Sequence, residues 1–226
     1  CLAGCGSSAG NTSTGNASAG ADSSASDDSA ADDSAADGSV FKIGSIGPTT
    51  GDAAIYGNAV MNAAQMAVDK INADGGINGY QVEFRFEDDE HDAEKSVNAY
   101  NTLKDWGMQM LVGTVTSNPC TAVVEETHSD NMFQLTPSAT AVDSIQYDNA
   151  FRMCFSDPNQ GSASADYIAE NKLATKVAII YNSSDTYSSG IYQTFATEAK
   201  AKGLDVVAAE AFTADNNCLL YTSPSP

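Results

Sequence analysis

The chain has 226 residues, with 10 Lys and Arg against 30 Asp and Glu, for a formal net charge of -20. That balance excludes partners that bind through basic patches, nucleic acid and anionic membrane surfaces among them. It concerns solubility and not fold, and no hydrophobic run reaches the length of a membrane span.

The first residues read Cys1-Leu2-Ala3-Gly4-Cys5. Leu-Ala-Gly-Cys resembles the lipobox of bacterial lipoproteins, whose Cys becomes the acylated first residue of the mature chain. The resemblance implies lipid attachment at Cys5, with residues 1–5 as a signal-peptide remnant and lipobox. Residues 6–39 are almost wholly Ser, Ala, Gly, Asp, Asn and Thr, without Lys, Arg or aromatics. Such a stretch cannot bury a core and is expected to act as a disordered, self-repelling tether. This layout places the protein at the outer face of a bacterial cytoplasmic membrane, held there only by the lipid. An acidic tether of this length points to a cell without an outer membrane.

The first strand is expected over Val40 to Ile46, followed by the loop Gly47-Pro48-Thr49-Thr50-Gly51-Asp52. A long helix from about Ile55 to Ala73 carries Ala59, Ala63, Met66, Ala67, Val68 and Ile71 as its apolar stripe. Glycines at 75, 76 and 79 stop it, since they accept positive φ. Strand two, Gln81 to Glu87, sets Val82, Phe84 and Phe86 on one face. The run Asp88 to Asp92 reads as a solvated loop in which Asp92 caps a helix from Ala93 to Trp106. It does not read as a metal site, because calcium loops need spaced ligands and a mid-loop glycine.

The organising stretch lies between Met110 and Thr140. A buried-type strand, Met110 to Gly113, leads to Ser117-Asn118-Pro119, where Ser117 suits a helix N-cap and Pro119 the first turn. The helix runs from about Cys120 to Ser129, then Met132 to Leu135 forms a strand, and Thr136-Pro137-Ser138-Ala139-Thr140 a second loop. Two hydroxyl-rich loops thus end two consecutive parallel strands, the edge at which open α/β sheets bind ligands. A helix N-terminus with free N–H groups is a ready carboxylate site. No metal cluster, activated nucleophile or acid–base pair accompanies it, so no catalytic residue, metal or cofactor is assigned, and an enzyme is disfavoured.

Beyond Thr140, a strand is expected over Ala150 to Phe155, a helix over Asn159 to Asn171 and a strand over Lys176 to Tyr181. A polar loop, Asn182 to Gly190, precedes a helix from Ile191 to Lys202 and a last strand from Leu204 to Phe212. The alternation predicts an α/β fold of parallel sheets flanked by helices. A fresh start near Phe155 divides it into lobe one, residues 40–154, and an incomplete lobe two, residues 155–217, with a hinge around Arg152 to Ser156. Residues 218–226 resemble the translation of a sequencing-library adaptor and read as a non-native tail. Of the remaining cysteines, Cys120 and Cys154 are equally compatible with a disulfide and with buried thiols.

With these residues in view, the chain resembles the solute-binding proteins of branched-chain-amino-acid-type ABC importers, which have the two-lobed type I periplasmic-binding-protein fold. The matching pieces are Gly47-Pro48-Thr49-Thr50-Gly51 with Tyr56-Gly57, Ile71 to Gly79, Gly113 with Ser117, Thr136 to Thr140, and Asp185 to Gly190. The resemblance implies that Ser117 and backbone N–H groups hold a ligand α-carboxylate, and that Ser138, Ala139 and Thr140 serve the carboxylate and ammonium. It implies that Tyr187 closes over the ligand and that Tyr56 lines the pocket. It also implies an acidic partner for the ammonium, for which this chain offers no counterpart. Where some relatives carry a disulfide, this chain has His91 and Thr116, so the wall beside the ligand is changed. The implied partners are a small molecule, an amino acid first, and an ABC permease. The alternatives are the sensor domain of a membrane receptor, or the importer role with an amide, urea or aromatic acid as ligand.

Overall fold

A computed structural model describes residues 40–213. The Cys5 lipid site, the tether and the adaptor-like tail lie outside the described residues.

Strand β1 (Val40–Gly47) is followed by α1 (Ala54–Ala73), β2 (Gln81–Asp88), α2 (Ala93–Asp105) and β3 (Met110–Val112). Next come α3 (Ser117–Ser129), β4 (Gln134–Thr136), a 3-10 turn (Val142–Ile145) and β5 (Ala150–Arg152). The sequence continues through α4 (Asp157–Glu170), β6 (Lys176–Asn182), α5 (Thr186–Ala201) and β7 (Asp205–Phe212). The first five strands form one parallel sheet in the order β2-β1-β3-β4-β5, and β6 and β7 form a second parallel pair. The α/β reading with parallel sheets flanked by helices therefore holds.

Chain direction across the large sheet reverses beside β1, which has β2 on one side and β3 on the other, with Ile43 opposite both Phe84 and Met110. At such a switch point the loops after adjacent strands diverge and leave a crevice. Below it, Ile46, Tyr100, Leu103, Leu111 and Val123 are fully buried between the sheet and helices α2 and α3. Each such side chain contributes roughly 1.5–3 kcal/mol by leaving water. A smaller cluster, Ala165, Ala199 and Leu204 with Phe195 and Val206, joins α4 and α5 to β7.

Several expectations need correction. Helix α1 buries only part of the stripe assigned to it: Val68 and Ile71 do face the sheet, but Ala59, Ala63, Met66 and Ala67 are exposed, and Gly57, Val60, Met61 and Ala64 complete the covered face. Alanines on two faces leave the stripe ambiguous, and close approach at Gly57 decides it. A Cβ there would lie 1.7 Å from the Pro48 carbonyl oxygen. Helix α5 begins at Thr186, not Ile191, because Asp185 caps it by accepting from the Ser188 N–H at 3.1 Å. Helix α4 likewise starts early, at Asp157, capped by Ser156. Strand β5 ends at Arg152, and β4 lies one to two residues later than expected. Cys120 and Cys154 are free thiols; Cys120 is buried and accepts from the Gln134 amide at 3.3 Å.

Candidate functional site

The loops after β1, β2, β3, β4 and β5 converge on a cleft of about 370 Å³ that the start of α5 closes from the other side. Thr116 comes from the end of the β3 loop, Ser117 from the start of α3, and Ser138 and Thr140 from the β4 loop. Tyr56 lines it from the first turn of α1, His91 from the β2 loop, Phe155 from the segment after β5, and Asp185 and Tyr187 from the start of α5.

Ser117 is buried, but it is not the N-cap. Thr116 holds that position, and Ser117 is the first residue of α3. Its hydroxyl oxygen accepts from the N–H groups of Thr140 and Ala141, each at 3.2 Å. Both lone pairs are thereby engaged, and the O–H proton remains to be donated. The first-turn N–H groups of a helix have no intrahelical partner and carry the positive end of its dipole. A donor hydroxyl and a positive helix end thus share one wall of the cleft.

The β4 loop is braced from within. Ser138 donates to the Val115 carbonyl at 2.6 Å, Thr136 donates to the Thr114 carbonyl at 2.7 Å, and the Ala139 N–H donates to the Thr136 hydroxyl at 2.9 Å. Ala139 is fully buried and does not line the cleft, so the structure places it behind the wall and not in it. The Thr140 hydroxyl is different: it is buried and has no hydrogen-bond partner. Close by, Asp157 is almost fully buried with both carboxyl oxygens unpartnered, and the Thr140 hydroxyl faces it too loosely for a well-formed bond. Burial pushes the Asp157 carboxyl up, against the pull of Thr140 and of the Arg152 guanidinium, with Asp185 adding repulsion. Arg152 donates to the carbonyls of Thr140 and Ala141 at 3.0 and 2.9 Å. One oxygen of Asp185 is also buried and unpartnered. Orphaned buried acceptors of this kind cost about 1–3 kcal/mol each.

The two sides of the cleft are already joined. Asn118, in the first turn of α3, accepts from the Thr186 N–H at 3.1 Å and from its hydroxyl. Tyr56 is largely exposed and Tyr187 partly so; Tyr187 bonds the Gln160 amide at 3.2 Å.

The acidic loop after β2 corrects another expectation. Asp92 does cap α2, accepting from the Lys95 N–H at 2.9 Å. Asp88 and Asp89, however, are not solvated loop residues. Asp88 accepts from the Thr49 N–H at 2.8 Å and the Thr50 hydroxyl at 2.6 Å, tying the β1 loop to the end of β2. Partial burial pushes its carboxyl up, but these bonds, with the Glu90 N–H, outweigh that and hold its pKa at about 2. Asp89 is fully buried; burial raises its pKa to about 6, despite the His91 N–H bonded to it at 2.9 Å. His91 itself bonds Thr116 Oγ1 through Nδ1 at 2.9 Å.

Sequence reasoning left His91, Phe155, Asp157 and Asp185 out of the candidate set. The signal that bears on the last two was local: Ser156 and Asp185 are capping residues, so Asp157 and Asp185 both sit at helix starts facing the same edge. Among the described residues, no three His, Cys, Asp or Glu side chains are placed to hold one metal ion, and no helix is long and apolar enough to cross a membrane.

The sequence profile described as "Periplasmic binding protein" matches residues 40–217, which includes the whole described region. The chain belongs to the periplasmic binding protein family. Among its relatives, the Leu/Ile/Val-binding protein BraC3 of Rhizobium johnstonii is 35% identical over 173 residues, 76% of this chain and 47% of that protein. The leucine-, isoleucine-, valine-, threonine-, and alanine-binding protein of Pseudomonas aeruginosa is 31% identical, over 79% of this chain and 49% of the relative. The substrate-binding protein LivJ of Streptococcus pneumoniae, solved with isoleucine, superposes with a TM-score of 0.75 at 30% identity, covering 81% of this chain and 52% of LivJ. This periplasmic binding protein chain therefore spans about half the length of the curated relatives it matches. Its similarity is to branched-chain amino acid binding proteins with the type I fold.

Proposed function

We propose that the protein is the extracytoplasmic solute-binding component of an ABC importer and that it takes a small α-amino acid in the cleft between its two sheets. The carboxylate is held at the start of α3 by the Ser117 O–H and first-turn N–H groups. The ammonium lies against the Thr140 hydroxyl, with Asp157 and Asp185 supplying opposite charge. The single observation that carries this reading is the juxtaposition of a donor-only wall at Ser117 with orphaned acceptors at Thr140, Asp157 and Asp185. A zwitterion satisfies both at once, through charge-assisted hydrogen bonds in a partly desolvated cleft. Tyr56, Phe155 and Tyr187 cover the bound molecule, while Ser138 and Ala139 hold the β4 loop behind it.

We further assign residues 40–154 and 155–217 to two lobes hinged around Arg152 to Ser156, whose closure presents the bound form to a membrane permease, and Cys5 to lipid anchoring. The relatives' names put leucine, isoleucine and valine first among the ligands to test.

A thermal-shift screen of the full-length protein tests the assignment. A ligand at about 100 times its Kd stabilises by about 2.7 kcal/mol through mass action. Stabilisation by an amino acid that Ser117→Ala abolishes is the expected result. A shift from a simple amide or an aromatic acid, with none from any amino acid, leaves the fold intact and overturns the ligand class.

A further inference from the structure

We propose that His91, oriented by Thr116, reads the far end of the ligand side chain, so that this cleft prefers an amino acid ending in a hydroxyl or carboxamide over one ending in methyl groups. The inference rests on the amino-acid reading above and refines its side-chain part.

The strand order sets the argument. Along the sheet edge the cleft is lined by His91 after β2, Tyr56 in the first turn of α1, Thr116 and Ser117 after β3, and Thr140 after β4, with His91 bonded to Thr116. The carboxylate and ammonium positions take up the β3 and β4 part. Asp157, whose backbone N–H donates to the Thr140 carbonyl at 2.9 Å, lies buried behind that end. The substituent on the α-carbon is left to extend the other way, over Tyr56 toward His91. A ligand oriented by two charged ends cannot exchange these directions without pointing its carboxylate at Asp157.

At that distal end the wall is polar. His91 is half-buried, lines the cleft, and uses Nδ1 on the Thr116 hydroxyl, which lines it too. In a neutral imidazole one ring nitrogen donates and the other accepts. Whichever role Nδ1 takes with Thr116, Nε2 has the complementary one to offer. A hydroxyl or carboxamide can answer either role, because each can donate and accept; a methyl group can answer neither.

The backbone is arranged at a cost to hold the ring there. Glu90 and His91 both have left-handed φ, at 50° and 62°, a conformation that non-glycine residues adopt sparingly. The His91 N–H is pinned by Asp89, whose second carboxyl oxygen is itself buried and unpartnered. Residues held so by their surroundings cluster where placement of a side chain matters.

Isothermal calorimetry on the full-length protein with two isosteric pairs, threonine against valine and asparagine against leucine, tests this. In the wild type the polar member of at least one pair is expected to bind about tenfold tighter, the scale of one net hydrogen bond to a buried partner. His91→Leu is expected to erase that ratio. Thr116→Val, which leaves the imidazole but removes its orienting partner, narrows it, and carries the test alone should His91→Leu not fold. Valine and leucine binding as tightly as both polar isosteres, or a polar preference unchanged in both variants, overturns the proposal. If Ser117→Ala still abolishes binding in that case, the amino-acid reading survives; binding of no amino acid at all overturns both.

Discussion

The five-stranded and two-stranded sheets of this chain are built from similar residues and end in very different states. In β1 and β3, Ile46 and Leu111 are wholly buried, and the hydroxyls of Thr136 and Ser138 donate to the Thr114 and Val115 carbonyls of the loop after β3. In β6 and β7 burial merely alternates, and Ile180 and Val207 remain 62% and 55% exposed. A parallel strand pair covered by α4 and α5 on one face has half an interior. The five-stranded sheet carries most of the wall of the candidate cleft, while the second contributes little more than the N-terminal ends of α4 and α5. Binding geometry is therefore expected to be pre-set on one side and adjustable on the other.

The largest effect should separate the two sheets directly. Leu111→Ala removes a fully buried side chain and is expected to cost about 2–5 kcal/mol in denaturant unfolding. Ile180→Ala should stay within about 1 kcal/mol. Equal costs would mean that the exposed face of β6 is covered in solution.

Next in size is a pH effect confined to the first sheet. Asp89 has its pKa raised from 3.8 to about 6 by burial, so the folded state binds its proton more tightly than the unfolded chain. Stability from this group is therefore full below pH 4 and falls as pH rises to about 6, with a loss of about 3 kcal/mol on the linkage scale. Asp89→Asn should flatten the unfolding free energy between those limits. Asp88 has the opposite sign: its pKa of about 2 means support that is present above pH 4 and lost as pH falls toward 2.

Smaller again is the α4–α5 seam. A Cβ at Gly161 would sit 2.7 Å from the Ile191 carbonyl oxygen, so Gly161→Ala should force the helices apart and cost about 1–3 kcal/mol. Because Asp157 and Asp185 ride on those helices, ligand affinity should fall too, whereas the β1–β3 core should keep its hydrogen-exchange protection. The smallest expected change is at the bridge between the sheets. Asn118→Ala removes the acceptor for Thr186 and should alter stability by about 0.5–1.5 kcal/mol, seen chiefly as faster ligand dissociation in stopped flow.

Much of this was legible in the sequence. The order of strands and helices followed from apolar runs, from the Gly75-Gly76 stop and from the Asp92 cap, since these signals act within a few residues of themselves. The hydroxyl loops after β3 and β4 were legible as a site for the same reason, and Tyr56, Ser117, Ser138, Thr140 and Tyr187 do come together at one cleft. Partner choice was not legible. That Ser117 accepts from Thr140 and Ala141 and does not cap its own helix depends on two loops more than twenty residues apart. The buried face of α1 was assigned correctly at Val68 and Ile71 but not at its alanines, because alanine suits either face and only the approach of Gly57 to Pro48 chooses between them. The acidic run after β2 looked solvated because charge predicts exposure, yet Asp89 is enclosed by its fold neighbours. Local chemistry determined which elements form and where they stop; long-range packing decided which polar atoms are satisfied, and so which are left free to bind.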